Sequence, residues 1–487
     1  MNTPLRRIGV AMMAMMVLLL ANATYVQVIK ADDYRKNPLN RRVVLDQYSR
    51  ERGQIIASGG EPLATVERTT DRLRYLRKYA GPAFAPVTGY FSTVYGASGL
   101  ERAEDDLLNG SDDRLFARRV SDLITGRDPK GGSLQLTIDA ALQQVAYDQL
   151  QGVAGSVVAI RPQTGEILAM ASTPTYDPNA LASHDVAEQQ AAWKQLIAPE
   201  SNLPMLNRSV AGLYAPGSTF KLIVAAAALA EGKTKESEVD GRPVITLPGT
   251  QVPLPNFNDT ICGNGVTATL EEALAKSCNT AFAVLADQLG PDKLRKAAAK
   301  FGFDDADLRI PLAVETSTLG PMDERPAVYQ TGIGQRDVLV TPLQNAMMTA
   351  AIANGGVRMR PHLVQKVLAP DLQVISEDEG DEVADAMEPE HAAALRDMMV
   401  RSEANTAPNG RLSGVTVASK TGTAEHGEDV KDTRPHAWYV AFAPAEKPEI
   451  AIAVIVENGG TAGLSATGGK VAAPIGRAVI GAYLGGR

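Results

Sequence analysis

The stretch "YAPGSTFK" at residues 214–221 runs directly into "LIVAAAALAEG" at residues 222–232. Ser218 stands three positions before Lys221, and the lysine opens a helical pattern that is otherwise almost wholly apolar. An ammonium in such a place is costly unless it has a partner or a job. Residues three apart on a helix share a face, so Ser218 and Lys221 can meet. Pro216 and Gly217 stand where the helix begins, which puts Ser218 in the first turn. There the free backbone N–H groups and the positive end of the helix dipole favour a developing negative charge. Burying the apolar helix desolvates Lys221 and lowers its pKa, and a neutral amine is what a general base requires. One Ser-x-x-Lys is about what chance supplies in a chain of this size, so the pair alone decides nothing.

Two further patterns change that balance. Ser277-Cys278-Asn279 ends the helical stretch "TLEEALAKSCNTAF", and Lys420-Thr421-Gly422-Thr423 lies in the strand-like run "GVTVASKTGTA". Ser-x-x-Lys, Ser-x-Asn and Lys-Thr-Gly each occur once, in that order, an arrangement with a stated mechanical meaning in penicillin-recognising enzymes.

The chain has 487 residues, comfortable for two or three domains, with 45% hydrophobic and 21% charged residues, a globular composition. A formal net charge of -8 leaves no basic surplus to neutralise phosphates, which argues against a general nucleic-acid binder. Arg6 and Arg7 precede the apolar run "IGVAMMAMMVLLLANATYVQVI". Two readings of it compete. A cleaved signal peptide would use Ala21-Asn22-Ala23 as its processing site. A retained anchor would extend to Ile29, about the length needed to span a bilayer, with the arginines holding the N-terminus in the cytoplasm. Either reading exports everything after about residue 30. Export also makes a disulfide between Cys262 and Cys278 chemically possible, against two buried free thiols.

Residues 31–145 mix short apolar patches with turn signals such as "ERGQIIASGGEPLATV", carry no catalytic cluster, and read as a pedestal. "SLQLTIDAALQQVAYDQL" then predicts a strand followed by a helix, with Asp139 as N-cap. From Gly155, "GSVVAI" and "GEILAMAS" flank the hairpin signal "RPQTG". A long helical middle follows, with "FKLIVAAAALAEG", "TLEEALAKSCNTAFAVLADQLG" and "TPLQNAMMTAAIAN". "SEDEGDEVADAMEPEH", from Ser376, reads as a solvated acidic connection. Strand signals return in "GVTVASKTGTA", "HAWYVAFAP" and "EIAIAVIVENGG". Strands at both ends enclosing a helical centre predict an α+β domain with helices packed on an antiparallel sheet.

Taken together, the motifs resemble a class B penicillin-binding protein, a transpeptidase that cross-links peptidoglycan, most like the actinobacterial penicillin-binding protein A type. "RGQII" and "GLERAEDDLLNG" are similar to the family's pedestal motifs. "PTYDPN", "APGSTFK", "SCN", "TGIGQ" with "TPLQ", "SKTGTAE" and "HAWYVAFAP" match its transpeptidase domain in order. The likeness runs from Arg52 to nearly the end of the chain. One departure is "IIASGGEPLA", which lacks the Asp-Arg-Asn-Gly turn common in relatives. The resemblance implies residues 1–30 as cytoplasmic tip and transmembrane anchor, 31–145 as an N-terminal pedestal (dimerisation-like) domain, and 146–487 as a transpeptidase domain of the penicillin-binding/serine β-lactamase-like fold.

It also implies roles. Ser218 is the nucleophile and Lys221 its base; Ser277 relays protons; Asn279 holds Lys221 and the substrate amide. Lys420 supplies positive potential, Thr421 and Thr423 grip the substrate carboxylate, and the backbone N–H groups of Ser218 and Thr423 form the oxyanion hole. Gly422 is expected to keep the sheet edge clear for a substrate strand. The implied substrates are stem peptides ending in D-Ala-D-Ala. β-Lactams acylate the same serine, no cofactor or metal is required, and a glycan polymerase of the SEDS type is the implied membrane partner. A disulfide between Cys262 and Cys278 would clamp the loop beside the groove.

Rivals have weaker footing. A β-lactamase needs a deacylating glutamate whose motif is missing. A β-lactam sensor needs a cytoplasmic half that the stretch before Ile8 is too short to provide. A D,D-carboxypeptidase differs only in its acceptor, and a silent scaffold has no chemical reason to keep Ser218, Lys221, Ser277, Asn279 and Lys420. No Gly-x-Ser-x-Gly elbow, H-E-x-x-H or Cys-x-x-Cys occurs. His436 reads as a strand residue, and "GLSATGGK", from Gly463, as a turn because its spacing is wrong for a P-loop.

Overall fold

Apolar runs from both ends of the longer region, far apart in sequence, pair into one sheet. A computed structural model describes residues 2–35, 48, 50–126, 128, 130–406, 411–426 and 432–485. Helix α1 (Asn2–Thr24) continues through a π-helical turn, Tyr25–Ile29, and the span Pro4–Ile29 is long and apolar enough to cross a membrane. Next come strands β1 (Ile55–Ile56), β2 (Pro62–Arg68), β3 (Tyr75–Tyr79) and β4 (Ser133–Leu136). Helix α2 (Ala140–Gln149) leads to the hairpin of β5 (Gly155–Ile160) and β6 (Ile167–Thr173). The helical centre holds α3 (Lys221–Ala230), α4 (Asn279–Leu289) and α5 (Pro342–Ala353). A hairpin of β7 (Val364–Leu368) and β8 (Val374–Glu377) precedes α6 (Pro389–Thr406). Strands β9 (Ala418–Ala424), β10 (His436–Ala443) and β11 (Ile450–Val456), then α7 (Ala473–Gly485), complete the chain.

The main sheet has five strands in the order β9-β10-β11-β5-β6, all antiparallel. Its central strands are covered on both faces, which is why "AWYVAFA" and "IAIAVIV" read as continuous apolar runs rather than alternating ones. The two-residue period still sorts them. Trp438, Val440 and Phe442 pack with α3 and α5, whereas Tyr439, Ala441 and Val454 pack with α2 and α7. Caps fall where the sequence predicts one: Asp139 Oδ1 accepts from Leu142 N at 3.0 Å. Strand β9 lies at an edge, so one side of its backbone stays unpaired by the sheet.

The second sheet has six strands, in the order β8-β7-β4-β1-β2-β3. Two of them, β7 and β8, arrive from well beyond residue 146, so the pedestal sheet is finished by the longer region. The acidic tract from Ser376 is mostly exposed, but it begins in β8, and its Glu382–Asp385 segment pairs with Val357–Met359. "PTYDPN" contributes a second link: Asn179 Oδ1 accepts from Tyr79 N at 3.0 Å and Asn179 Nδ2 donates to Tyr79 O at 3.1 Å. Inside the pedestal, Glu101 is fully buried between Arg52 and Arg77, each donating its Nε at 2.6 Å. Where the common turn is missing after Ile56, Ala57 N donates to Glu61 O at 2.8 Å and closes the β1–β2 loop.

Candidate active site

The serine turn is held almost entirely through its backbone. Ser218 lies in a 3-10 turn, Gly217–Phe220, directly before α3, slightly tighter than the α-helical first turn predicted. Ala215 O accepts from Trp438 Nε1 at 2.9 Å, Gly217 N donates to Gly334 O at 2.8 Å, and Tyr214 pairs with Val340. Gly334 belongs to "TGIGQ"; a Cβ there would sit 2.1 Å from Gly217 O, so the motif exists to let two backbones touch. Within residues 214–229 every residue is buried except Ser218. A rigid apolar support thus presents one hydroxyl.

Ser277 breaks the predicted helical stretch. Leu270–Ala275 ends in a Schellman arrangement, with Ser277 N donating to Leu274 O at 3.1 Å and Cys278 N to Ala273 O at 2.8 Å. The left-handed position belongs to Ser277, φ 59°, where glycine is usual. Helix α4 then restarts at Asn279. This joint turns both the carbonyl and the hydroxyl of Ser277 toward the lysines. No glycine or proline marks it in the sequence, which is why the stretch reads as one helix.

Lys221 and Lys420 are both fully buried. Lys221 Nζ donates to Asn279 Oδ1 at 2.7 Å and to Ser277 O at 2.8 Å, with Ser277 Oγ at 3.3 Å. Lys420 Nζ donates to Ser277 Oγ at 2.8 Å and to Thr421 O at 2.9 Å. Asn279 Nδ2 donates to Pro255 O at 3.1 Å, which fixes the amide that holds Lys221. Among the described residues, no hydrogen bond joins Lys221 to Ser218, and neither lysine has a carboxylate partner. Burial, and secondarily the charge of Lys420, push the Lys221 pKa well below its ordinary value. Burial brings Lys420 down to about 7. The site therefore shifts Lys221 toward its neutral amine.

On β9, Thr421 and Thr423 are half-buried and Gly422 is buried. A Cβ on Gly422 would meet Pro216 O at 2.8 Å and Thr219 Cγ2 at 3.1 Å, so the glycine lets the strand close on the serine turn. Gly217 is as tight from the other side: a Cβ would lie 2.6 Å from Thr423 O, which places Thr423 beside the serine turn.

Sequence reasoning missed the residues behind β9. Ser419 Oγ donates to the buried Glu403, which also accepts from Tyr439 OH at 3.1 Å and from Arg477 Nε at 2.7 Å. Two positions along α6, Asn405 Nδ2 donates to Ala275 O at 3.0 Å, at the end of the helix that presents Ser277. One helix end thus braces both the Lys420 strand and the Ser277 joint. These partners lie far apart in sequence, and the only signal was two polar residues late in an amphipathic helix.

Cys262 and Cys278 are disulfide-bonded, tying the loop before Leu270–Ala275 to the Ser277 joint. His436 is a strand residue: it stacks on His426 with centroids 3.8 Å apart, its Nδ1 accepts from Asn458 N at 3.1 Å, and burial, then His426, hold its pKa down to about 3. "GLSATGGK" forms irregular turns, with Gly468 packed against the Gly422 and Trp438 backbone.

Residues 155–481 match the penicillin binding protein transpeptidase domain, and residues 52–134 match the penicillin binding protein A dimerisation domain. The chain is 52% identical to a peptidoglycan D,D-transpeptidase PbpA of Mycolicibacterium smegmatis across 99% of both proteins. The PbpA of Mycobacterium tuberculosis H37Rv is 51% identical over the full length of each. Among solved structures, the ceftriaxone acyl-enzyme of M. tuberculosis penicillin-binding protein A superposes with a TM-score of 0.88 at 50% identity, covering 90% of this chain and 100% of that one. With the motifs assembled in space and both domains matched, this chain belongs to the penicillin-binding protein transpeptidase family, in the branch that includes penicillin-binding protein A.

Proposed function

We propose that this chain is an exported, membrane-anchored peptidoglycan D,D-transpeptidase that works through an acyl-enzyme on Ser218. The observation that carries the assignment of roles is the pair of buried lysines, supplied only with neutral acceptors, that meet at Ser277 Oγ, one of them opening the helix whose preceding turn leaves only Ser218 part-exposed. A neutral Lys221 gives its two N–H groups to Asn279 Oδ1 and Ser277 O, and its lone pair is left for the Ser218 proton. Ser218 Oγ attacks the carbonyl carbon of the penultimate D-Ala as Lys221 takes that proton. The N–H groups of Ser218 and Thr423 stabilise the oxyanion. The bond to the terminal D-Ala breaks, and the proton reaches its amine through the Ser277 hydroxyl. An amine from a neighbouring stem peptide then attacks the ester, forms the cross-link and frees Ser218.

Thr421 and Thr423, with the charge of Lys420, bind the substrate carboxylate at the β9 edge. β-Lactams follow the first half of this path, with a leaving nitrogen that stays tethered in the opened ring. Helix α1 is retained as the anchor with the N-terminus in the cytoplasm, in keeping with Arg6 and Arg7 before the span and its length. The SEDS-type polymerase implied by the family resemblance would meet the anchor and the pedestal.

The test pairs two measurements on the full chain in detergent. Intact mass after benzylpenicillin should show one adduct in wild type and none in Ser218→Ala; an adduct on both variants contradicts the nucleophile. A stem pentapeptide supplied with an amine acceptor should yield the cross-linked product. Release of D-Ala with only hydrolysed donor would instead mark a carboxypeptidase.

A further inference from the structure

A helix on a globular surface normally turns its apolar stripe inward. The pedestal helix Phe116–Thr125 does the reverse. Phe116, Val120 and Ile124 recur every four residues along one side and are 61%, 40% and 80% exposed. Arg118 stands on the opposite side and Arg119 flanks the stripe, its guanidinium 5.8 Å from the Phe116 ring centroid, and both fasten the helix to the protein. Arg118 donates to Asp371 Oδ1 at 2.8 Å and to Oδ2 at 2.5 Å, and Arg119 donates to the Ser111 carbonyl. Asp371 lies in the β7–β8 turn, where Leu372 and Val374 are also exposed. Large apolar side chains are therefore left outward on two neighbouring pieces of the pedestal.

The chain from α1 enters the pedestal against the segment that follows this helix. Soon after the helix, Lys130 Nζ pairs with Glu51 Oε2 at 2.9 Å, and Gly131 N donates to Glu51 O at 2.9 Å. Glu51 follows Tyr48, the first described residue after the short helix Ala31–Arg35 that succeeds the anchor. Fully extended, the chain from Ile29 to Tyr48 reaches at most roughly 65 Å, so this end of the pedestal stays within that distance of the membrane.

We propose that Phe116–Thr125 lies in the plane of the membrane interface, with Phe116, Val120 and Ile124 in the boundary between headgroups and acyl chains. The inference rests on the retained-anchor reading above. A pronounced apolar stripe, a polar face with arginines and little overall hydrophobicity are the marks of an interface-seeking rather than a spanning helix. A helix this short binds lipid weakly alone, but the anchor makes its binding intramolecular. Two attachments, one spanning and one lying flat, fix the tilt of the pedestal and hence the height of the Ser218 groove above the bilayer.

The full chain in lipid nanodiscs tests this. Cys262 and Cys278 are paired, so Ile124→Cys offers a single thiol for a nitroxide label. The label at 124 should collide with dissolved oxygen and be shielded from a water-soluble nickel chelate by at least several-fold relative to Asp122→Cys on the opposite side. Equal nickel access at 124 and 122 overturns the proposal. Shielding at 124 from both reagents overturns it as well, because a protein surface then covers the stripe. A chain that fails to enter the discs overturns the anchor reading and this inference together.

Discussion

Two regions of this protein bury charge, and they treat it in opposite ways. In the pedestal, Glu101 takes a guanidinium on each carboxylate oxygen, from Arg52 and Arg77, both at 2.6 Å. Burial alone would raise the Glu101 pKa, but the two guanidiniums outweigh it and hold the carboxyl below its usual range. In the groove, Lys221 and Lys420 are buried as deeply, yet every acceptor they reach is a neutral carbonyl, amide or hydroxyl oxygen. Their pKa values fall instead. A charge kept for structure is paired until it stays ionised; a base kept for chemistry is left without an anion until it gives its proton up.

Exchanging the roles of the two regions should produce opposite phenotypes. The largest effect is expected from Lys221→Met, which keeps much of the packing. Acylation by benzylpenicillin should drop about 10³-fold, while thermal stability holds or rises because a desolvated amine without an anion is gone. Glu101→Gln should do the converse. Arg77 loses its carboxylate and Arg52 keeps only Asp105, at 2.6 Å, so unfolding in urea should become easier by about 3–5 kcal/mol, and acylation per folded molecule should stay at the wild-type rate. Loss of acylation in Glu101→Gln at full folding would break the comparison.

A smaller effect sharpens it. Asn405 is exposed, so Asn405→Ala should leave the melting temperature nearly unchanged. Its bond to Ala275 O aligns the Ser277 joint, and losing it should slow acylation by about 5-fold, the equivalent of one hydrogen bond of about 1 kcal/mol. The smallest change is in stability: Ser277→Gly relieves the left-handed backbone and should stabilise the fold by up to about 1 kcal/mol. The same variant should slow acylation, because Lys420 and Lys221 lose the hydroxyl between them. A stabilised variant with unchanged kinetics would remove Ser277 from the proton path.

The parts legible in the sequence are those with local periods. The strand run around Lys420 and the cap at Asp139 depend on neighbours within one strand or one turn, and both appear where read. The β7–β8 hairpin was missed as pedestal because its short strands pair with β4, far back in the chain. Glu403 and Arg477 were missed because a buried ion pair between two late helices has no local signature. Ser277 misled for another reason. A left-handed residue usually advertises itself as glycine, and here the hydroxyl is kept at the expense of backbone ease. The conflict between local preference and fold falls on a residue of the candidate site.

The pH dependence of the acylation rate tests the central claim most directly. Lys221 acts as base only when neutral, so the rate of benzylpenicillin acylation should fall as pH drops through its folded-state pKa and level off above it. Burial and Lys420 set that pKa well below 10.5. The rate should therefore level off well below the pH at which an ordinary lysine loses its proton, with Lys420, at about 7, interacting with it across Ser277. A rate that instead climbs tenfold per pH unit up to about 10, as an ordinary lysine would require, contradicts a neutral Lys221 as the base for Ser218.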